Sequence, residues 1–480
     1  MTQTAAPQDV SRPFARYLLD TRLEDIPRNV LAATKRSLFD TVGVMLAGSG
    51  PHGGAHKVVK MLSAWGGVRS STVIGHDIQL PAPHAAFANG AMAHQFDFDD
   101  THDEAVAHPT ANTFSAGMAV AESLKHCEGS TLLRAIVLSN DLTCRLGLAI
   151  EGSLYEYPWT RPPIIGIWGA TAAASILLGL DENQIRSAFG LTLHQTANTL
   201  ECLYAPNSEV RGLRDGFSTR NGVTAACMSQ AGIQADHTAF EGRFGLFHAY
   251  FRGEYRREAL LDGLGSRFEG ERISIKPWPS ARETHATIQA VLELRSKHRL
   301  EPGSIRSIML HVGKTNLEFC EPGHMRRAPP SRMDALSSLP YAVAVALRHG
   351  NVPLSAYGRG GLGDPAVLQI AQKVSWTVDD ERSLDGTIEG GRVEITLENG
   401  DVLKHTVRHA IGHPDHPLDQ AYLFDKFSSC GQMAFATPPQ DAIQTLWDTI
   451  ETLEERPLAD LTQAVRALTT EHAVDAGVTS

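Results

Sequence analysis

The sequence predicts a mainly α-helical protein, in which a large all-helical domain is joined to a smaller α+β domain. Up to about residue 265, alanine-rich stretches place apolar residues three and four positions apart, which is the period of an amphipathic helix. Beyond residue 277, several segments alternate and are rich in Ile and Val, which is typical of strands. The 480 residues also exceed what one compact core usually holds, so two domains are expected.

The helical pattern of the first part divides into six stretches separated by short clusters of Gly, Pro or Asp. One such boundary is Gly179-Leu180-Asp181, where a glycine that can end a helix is followed by an Asp that can cap the next one. Helices are predicted at residues 28–46, 111–125, 131–150, 164–178, 182–200 and 219–231.

The second part mixes strands with helices. The Asn399-Gly400 step between its last two strand-like segments is a strong hairpin signal. Strands are predicted at 304–312, 373–378, 391–397 and 402–408, and helices at 283–297 and 334–348. Helical periodicity returns from 419 to about 468. The predicted helical domain therefore comprises 1–269 and 409–480, and the predicted α+β domain comprises 270–408.

The overall charge argues against nucleic acid or an anionic membrane as a partner. The chain carries 43 basic and 54 acidic residues, a net charge of −11, without a Lys/Arg tract. A small anionic substrate is compatible with this balance, because a few arginines in a cleft can reverse the local field. No apolar run reaches the ~20 residues of a spanning helix, and the N-terminus lacks a secretion signal, so a cytoplasmic protein is expected.

The six cysteines are scattered and form no C-x-x-C pair, so reduced thiols are expected. An iron–sulfur cluster would require closely spaced cysteines. Any dehydration chemistry in this chain is therefore expected to run on side chains alone.

Ionisable groups are concentrated between residues 94 and 108. If this segment begins as a helix, His94, Asp97 and Thr101 follow an i, i+3, i+7 spacing and share one face within roughly 60° of arc. His108 precedes Pro109, which disfavours a helical conformation, so its imidazole is expected on a loop just past the helix. A converging acid, hydroxyl and histidine are what proton abstraction and leaving-group protonation require.

Three interpretations of this segment remain open from the residues alone. In the first, Asp97 and His108 share acid/base work and Thr101 orients them or the substrate. In the second, the segment binds a metal ion, although no recognised spacing such as H-E-x-x-H supports it. In the third, the acids are surface charges or helix caps and the histidines are hydrogen-bonded in the core. The candidate metal ligands are His94, Asp97, Asp100, His102 and His108.

Several motifs along nearly the whole chain form an ordered set. They are Thr-Val-Ile-Gly at 72–75, Asn-Gly-Ala at 89–91, Asp-Phe-Asp-Asp-Thr-His at 97–102, a small-residue run at 166–174, a glycine-bracketed run at 240–247, Lys-Pro-Trp-Pro-Ser-Ala-Arg-Glu-Thr-His at 276–285 and a run beginning Asp-Ala at 334–344. In this order they resemble the motifs of the MmgE/PrpD family, which includes dehydratases, decarboxylases and epimerases. The last run lacks the family's Lys and Phe.

The resemblance implies a homodimer with the site between the domains, and small di- or tricarboxylate substrates handled without a metal or organic cofactor. It puts the family's active-site Asp, Thr and His at Asp97, Thr101 and His108, and the lysine of its Lys-Pro segment at Lys276. These groups would take a proton alpha to a carboxylate and manage the departing group. Cationic side chains would bind the substrate and stabilise the charge that develops. The predicted substrate-binding residues are His102, Arg161, Arg211, Arg214 and Lys276.

Two departures from the family pattern predict an altered site. Many relatives have a His-Pro-Pro-Ser or His-Pro-Thr-Ser run before the small-residue helix, where this chain has Arg161-Pro162-Pro163-Ile164. A Lys-Pro-Leu-His-type run is replaced by Arg211-Gly212-Leu213-Arg214. Arginine stays protonated and binds carboxylates in bidentate fashion, whereas histidine can move protons. Fewer proton-transfer groups and stronger anion binding are expected, unless the arginines, Arg214 above all, only form ion pairs at a domain boundary.

The function predicted from the sequence is that of a cofactor-independent lyase of the dehydratase type. It would remove or add a group beta to a carboxylate of a small di- or tricarboxylate. An epimerase or racemase is the alternative on the same scaffold, as is a decarboxylase, which the lost histidine disfavours. A non-catalytic carboxylate-binding homologue is the alternative of a different class.

Overall fold

The computed structural model describes residues 9–51, 53–152, 156–205, 207–379 and 390–469. Its first part is helical, as the hydrophobic periodicity predicts. The helices are α1 (Ser11–Asp20), α2 (Arg28–Ser49), α3 (Ala55–Trp65), α4 (Ala82–Ala93), α5 (Pro109–Ser123), α6 (Gly129–Ala149), α7 (Arg161–Leu177), α8 (Glu182–Leu193), α9 (Glu201–Tyr204), α10 (Val210–Gln230), α11 (Leu246–Phe251) and α12 (Arg257–Leu261).

Four two-residue strands accompany these helices and form two antiparallel pairs. β1 (Ser71–Thr72) pairs with β2 (Gln79–Leu80), and β3 (Thr101–His102) pairs with β4 (Ile273–Ser274). The second pair joins the motif at 97–102 to the chain that leads into Lys276. Two motifs that lie about 175 positions apart are thereby held side by side.

The second part contains a four-stranded mixed sheet and further helices. Its elements are α13 (His285–His298), β5 (Ile305–Val312), α14 (Lys314–Leu317), α15 (Gly323–Arg327), α16 (Arg332–Leu336), α17 (Leu339–His349), α18 (Arg359–Leu362), α19 (Pro365–Gln372), β6 (Val374–Val378), β7 (Gly391–Leu397) and β8 (Val402–Val407). The strand order is β6-β5-β7-β8, with β5 and β6 parallel and the other pairs antiparallel. The tail adds α20 (Gln420–Gly431), α21 (Gln440–Glu451) and α22 (Leu458–Ala467).

Buried apolar side chains form two large clusters. One unites the N-terminal helices with α20, α21 and α22, and the other fills the space between the sheet and α13, α17 and α19. The predicted fold class, mainly helical with a smaller α+β part, is confirmed. The exact domain limits at 269 and 408 stay a prediction. No described helix is long and apolar enough to cross a membrane.

Three predicted helices differ from the observed ones. The helix predicted at 219–231 begins nine residues earlier, at Val210, so that it includes Arg211 and Arg214. The helix predicted at 334–348 is two helices, because Pro340 cannot continue the first and the Ser338 side chain accepts the amide of Tyr341 to start the second. The helix predicted at 182–200 ends at Leu193. The residues that follow turn toward the functional cavity instead.

Candidate active site

The segment with the ionisable residues is not a continuous helix. α4 ends at Ala93, the following residues form turns, and Thr101 lies in β3. Asp97 has φ +47°, a left-handed conformation that an L-residue rarely adopts and that a helix cannot contain. The predicted i, i+3, i+7 face of His94, Asp97 and Thr101 is therefore wrong. His108, in contrast, lies outside the helix at the N-cap of α5, as Pro109 predicts.

Asp97 forms the centre of a buried ion-pair network. Its Oδ1 accepts a hydrogen bond from Lys276 Nζ at 2.5 Å, and its Oδ2 accepts one from Arg211 at 2.6 Å. Lys276 Nζ also donates to the Asp97 carbonyl at 2.8 Å, which stabilises the unusual backbone at this residue. Burial alone would raise the pKa of Asp97, but Lys276 and Arg211 hold it well below its usual range. Asp97 is thus a permanent carboxylate with both oxygens engaged.

A second carboxylate, Asp99, lies between two histidines. Its Oδ1 is 2.9 Å from His94 Nδ1, and its Oδ2 is 3.0 Å from His108 Nδ1. The two imidazole rings meet edge to face at 4.9 Å between centroids. Although burial opposes ionisation, both histidines hold the pKa of Asp99 well below its usual range. Asp99 is hydrogen-bonded to His94, whereas His108 Nδ1 lies close to the other oxygen without hydrogen-bond geometry.

Thr101 and His102 are anchored by different contacts. The Thr101 hydroxyl donates to Asp103 at 2.9 Å, and Asp103 accepts from Arg282 at 3.1 Å. His102 Nδ1 accepts the amide of Ala105 at 3.2 Å, so its proton is on Nε2. Burial lowers the pKa of His102, which favours the neutral ring.

Three arginines reach the site from the first turns of helices. Arg161 is the first residue of α7, and Arg211 and Arg214 share one face at the start of α10. His108 caps α5, so three helix N-termini converge there and add partial positive charge. Arg214 lies 3.4 Å from Asp215. Arg161 donates only to the Gly152 carbonyl at 3.3 Å and has no carboxylate partner in the described ranges.

These residues line one cavity between the two hydrophobic clusters. The helical part supplies the arginines and the motif at 97–108, and the α+β part supplies 281–283 and Phe319. Part of the wall is apolar and is formed by Val106, Ala107, Pro162, Leu200, Leu203 and Phe319. The cavity therefore combines cationic groups, which suit carboxylates, with apolar groups, which suit a carbon skeleton.

Seven of the eight residues predicted from the sequence line this cavity. They are Asp97, Thr101, His102, His108, Arg161, Arg211 and Arg214. The eighth, Lys276, is fully buried behind Asp97 and acts on the cavity through that carboxylate. The arginines thus point into the cleft that contains the motif, and the individual roles stay predictions.

Three further residues were not singled out from the sequence. Asp99 lies inside the motif, but its spacing does not reveal which imidazoles it contacts. Arg282 and Glu283 follow Lys276 closely, and both line the cavity. Burial raises the pKa of Glu283. The only sequence signal for these two is their place in the run at 276–285.

One group of residues in the described part of the chain has metal-ligand geometry. Donor atoms of His94, Asp97, Asp99 and His108 all lie within 4.8 Å of one another. Both oxygens of Asp97 already accept hydrogen bonds from cationic side chains. A divalent ion would have to displace Lys276 or Arg211, so the donor set fits a metal poorly.

Comparisons with known proteins match both parts of the chain. Residues 12–258 match the MmgE/PrpD N-terminal domain, and residues 278–452 match the MmgE/PrpD C-terminal domain. The chain is 24% identical to cis-aconitate decarboxylase of Mus musculus over 93% of its length and 92% of the relative's. For cis-aconitate decarboxylase of Aspergillus terreus the identity is 24%, with 96% of both chains covered. For 2-methylcitrate dehydratase of Cupriavidus necator it is 23%, with 77% and 79% covered. The chain belongs to the MmgE/PrpD family.

Proposed function

We propose that this protein is a lyase that removes water from, or adds it to, a small di- or tricarboxylate without a metal or organic cofactor. One observation carries the proposal: Arg161, without a carboxylate partner in the described ranges, lines the same cavity as His108. The unpaired guanidinium supplies a binding site for a substrate carboxylate next to a group that can transfer a proton. The relatives are named for cis-aconitate and 2-methylcitrate, which are polycarboxylates, and this supports the substrate class.

Substrate binding is assigned to the cationic wall of the cavity. Arg161 binds one carboxylate, and Arg211 and Arg214 bind a second while they remain paired with Asp97 and Asp215. The three helix N-termini favour anions at the same point.

Proton transfer is assigned to Asp97 and His108, with Thr101 as the orienting hydroxyl. His108 Nδ1 lies close to Asp99, which leaves Nε2 to exchange a proton with the substrate. In dehydration, Asp97 takes the proton alpha to a carboxylate, and the electron pair of the broken C–H bond forms the double bond. The beta hydroxyl leaves with its own bonding pair and takes a proton from His108, so that water is released. The depressed pKa of Asp97 makes this carboxylate a weak base.

Decarboxylation is the second candidate, because several of the relatives are named cis-aconitate decarboxylases. Arginine at position 161 cannot transfer a proton at neutral pH, although burial lowers its pKa to about 10. Protonation of the carbanion left by CO₂ loss would therefore depend on another group.

The proposal is tested by NMR in D₂O with citrate, 2-methylcitrate and cis-aconitate as substrates. A dehydratase gives an unsaturated or hydrated product, a decarboxylase releases CO₂, and an epimerase exchanges the alpha proton while total substrate is conserved. His108→Asn is expected to lower kcat by about 10²- to 10⁴-fold. Exposed His349→Asn is the control and is expected to retain full activity. Carboxylate binding without exchange or turnover would instead support a non-catalytic homologue.

The cofactor-free site, the homodimer and the cytoplasmic location are parts of the proposal with their own tests. Full activity after prolonged chelation, with no bound ion by metal analysis, is expected. Light scattering is expected to give twice the 52.0 kDa chain mass. Fractionation of cells that express the protein is expected to recover it in the cytosol.

A further inference from the structure

Glu283 adds a third acidic residue to the wall of the cavity that Asp97 and His108 line. It lies in the turn Arg282–Thr284 just before α13 and is only 8% exposed, yet it lines the cavity. Three carboxyl groups line this space, and the other two, Asp97 and Asp103, accept hydrogen bonds from cationic side chains. Glu283 forms no ion pair with a described residue.

From this arrangement we propose that Glu283 is the base that takes the proton alpha to the substrate carboxylate. The inference rests on the proposed lyase function and changes the partner of His108 from Asp97 to Glu283. Both oxygens of Asp97 are occupied, whereas Glu283 lines the cavity and forms no ion pair in the described part of the chain. Asp97 then acts as a positioning residue for Lys276 and Arg211.

The electrostatics of the two carboxyl groups support this division. Burial raises the pKa of Glu283, a hydrogen bond from its own backbone amide lowers it, the negative charge of Asp97 raises it, and Lys276 and Arg211 lower it, so that the pKa stays above its usual range. A carboxylate with a raised pKa is a stronger proton acceptor than one with a depressed pKa. Burial is again the largest influence on Asp97, but there the cations prevail.

Glu283 and His108 together account for both proton transfers of the dehydration. The Glu283 carboxylate takes the alpha proton as the C–H pair forms the double bond. The beta hydroxyl leaves with its bonding pair and accepts a proton from His108. Glu283 ends protonated and His108 ends neutral, and exchange with water restores both. The charged groups that act on Glu283 are Asp97, Arg211 and Lys276. The other charged or titratable groups that line the cavity are Arg161, Arg214, Arg282, Asp103, His102 and His108.

Glu283→Gln, which keeps the shape of the side chain, tests the inference. With 2-methylcitrate and cis-aconitate in D₂O, kcat and alpha-proton exchange are expected to fall by about 10²- to 10⁴-fold while KM changes little. The acidic limb of the kcat/KM profile, which reports the loss of an ionised base, is expected to disappear in Glu283→Gln and to persist in Glu283→Asp. Glu122→Gln, a glutamate away from this cavity whose pKa burial also raises, is the control and is expected to leave both readouts unchanged.

Binding of tricarballylate, a saturated tricarboxylate, shows whether the variant protein keeps its site, and its affinity is expected to be retained. An active wild type with an unaffected Glu283→Gln, or a variant in which only KM rises, would overturn the inference and leave the proposed function standing. A wild type without turnover or exchange on any of these substrates would overturn both.

Discussion

At the scale of single residues, the property that distinguishes the charged side chains of the site is whether each has an ion-pair partner. Arg161 is buried, and burial lowers the pKa of its guanidinium to about 10, yet no described carboxylate compensates it. An uncompensated buried cation destabilises the folded protein until an anion binds. This arrangement favours ligand affinity over stability of the empty site.

Arg161→Gln is therefore expected to weaken tricarballylate binding without loss of stability in its absence. A hydrogen bond to a charged group contributes about 1.5–3 kcal/mol, so Kd is expected to rise roughly 10- to 150-fold. Calorimetry measures Kd, and thermal unfolding with and without ligand measures the stabilisation that binding adds. Arg220→Gln removes a half-buried arginine outside the cavity and should leave Kd unchanged. Equal Kd values for wild type and Arg161→Gln would exclude the carboxylate contact.

The raised pKa of Asp100 predicts how the stability of the folded protein depends on pH. Burial, with the nearby charges of Asp99 and Asp40, raises the pKa of Asp100 to about 7. Between about pH 4 and pH 7 the folded protein keeps a proton that the unfolded chain has lost, so stability falls as pH rises through this window. Above pH 7 the loss of folding stability is complete and is on the order of 4 kcal/mol.

Asp100→Asn removes this titration, so its Tm relative to wild type is expected to be higher at pH 8 than at pH 4.5. Exposed Asp20→Asn is the control, with the same Tm difference at both pH values. A Tm difference for Asp100→Asn that does not change with pH would contradict the raised pKa.

Residue types and family motifs were enough to predict seven cavity residues. Asp, Thr, His and Arg in an ordered pattern indicate acid/base and anion-binding roles without knowledge of the fold. They were not enough to predict Glu283 or Asp99. The importance of Glu283 comes from the lack of an ion-pair partner among the described residues, and that of Asp99 from two histidines that contact opposite oxygens. Neither property can be read from spacing along the chain.

At the scale of elements, the site depends on the close approach of α4 and α10. The N-terminal turn of α10 carries Arg211 and Arg214, and glycines allow its contact with α4. A Cβ on Gly216 would lie 2.6 Å from the Phe87 carbonyl oxygen, and one on Gly90 would lie 3.1 Å from the Gly216 Cα. The helix packing and the arginine positions are therefore coupled.

Gly216→Ala is expected to destabilise the protein by about 1–3 kcal/mol and to weaken tricarballylate binding, because α10 must move away from α4. Gly303→Ala serves as the control, since a Cβ there meets nothing within 4 Å. Urea unfolding measures the stability change and calorimetry measures the affinity. Unchanged affinity in Gly216→Ala would show that the arginines adjust independently of this contact.

Periodicity predicted most of the long helices and, to within one residue at each end, the strands of the sheet, including the hairpin at Asn399-Gly400, but it missed shorter helices such as α1, α3 and α19. It was wrong for 94–101, where ion pairs with Lys276 and Arg211 hold Asp97 in the left-handed region. Long-range contacts there override a local pattern that would otherwise continue a helix.

At the scale of the whole molecule, the site joins two hydrophobic cores. β3 and β4 pair just before Lys276, whose side chain binds Asp97 at the boundary between the clusters. The resemblance predicted a site between two domains, and the cavity has residues of both clusters in its wall. The ion pair itself could not be predicted, because it depends on how the two parts meet.

Lys276→Met is expected to destabilise the protein by about 3–5 kcal/mol, because it removes one partner of a fully buried ion pair. Because its pKa is depressed, Asp97 stays ionised to lower pH in the folded protein than in the unfolded chain. This difference stabilises the folded protein above the unfolded pKa, near 4, and the stabilisation is lost as pH falls through the folded pKa. The difference between wild type and variant should therefore be largest near neutral pH and should shrink below about pH 4.

Adding Asp97→Asn to Lys276→Met should recover part of the loss. Lys57→Met, in a pair whose lysine is 63% exposed, should cost at most about 1 kcal/mol. Equal losses for the buried and the exposed lysine would mean that the two cores do not depend on the Asp97 ion pair.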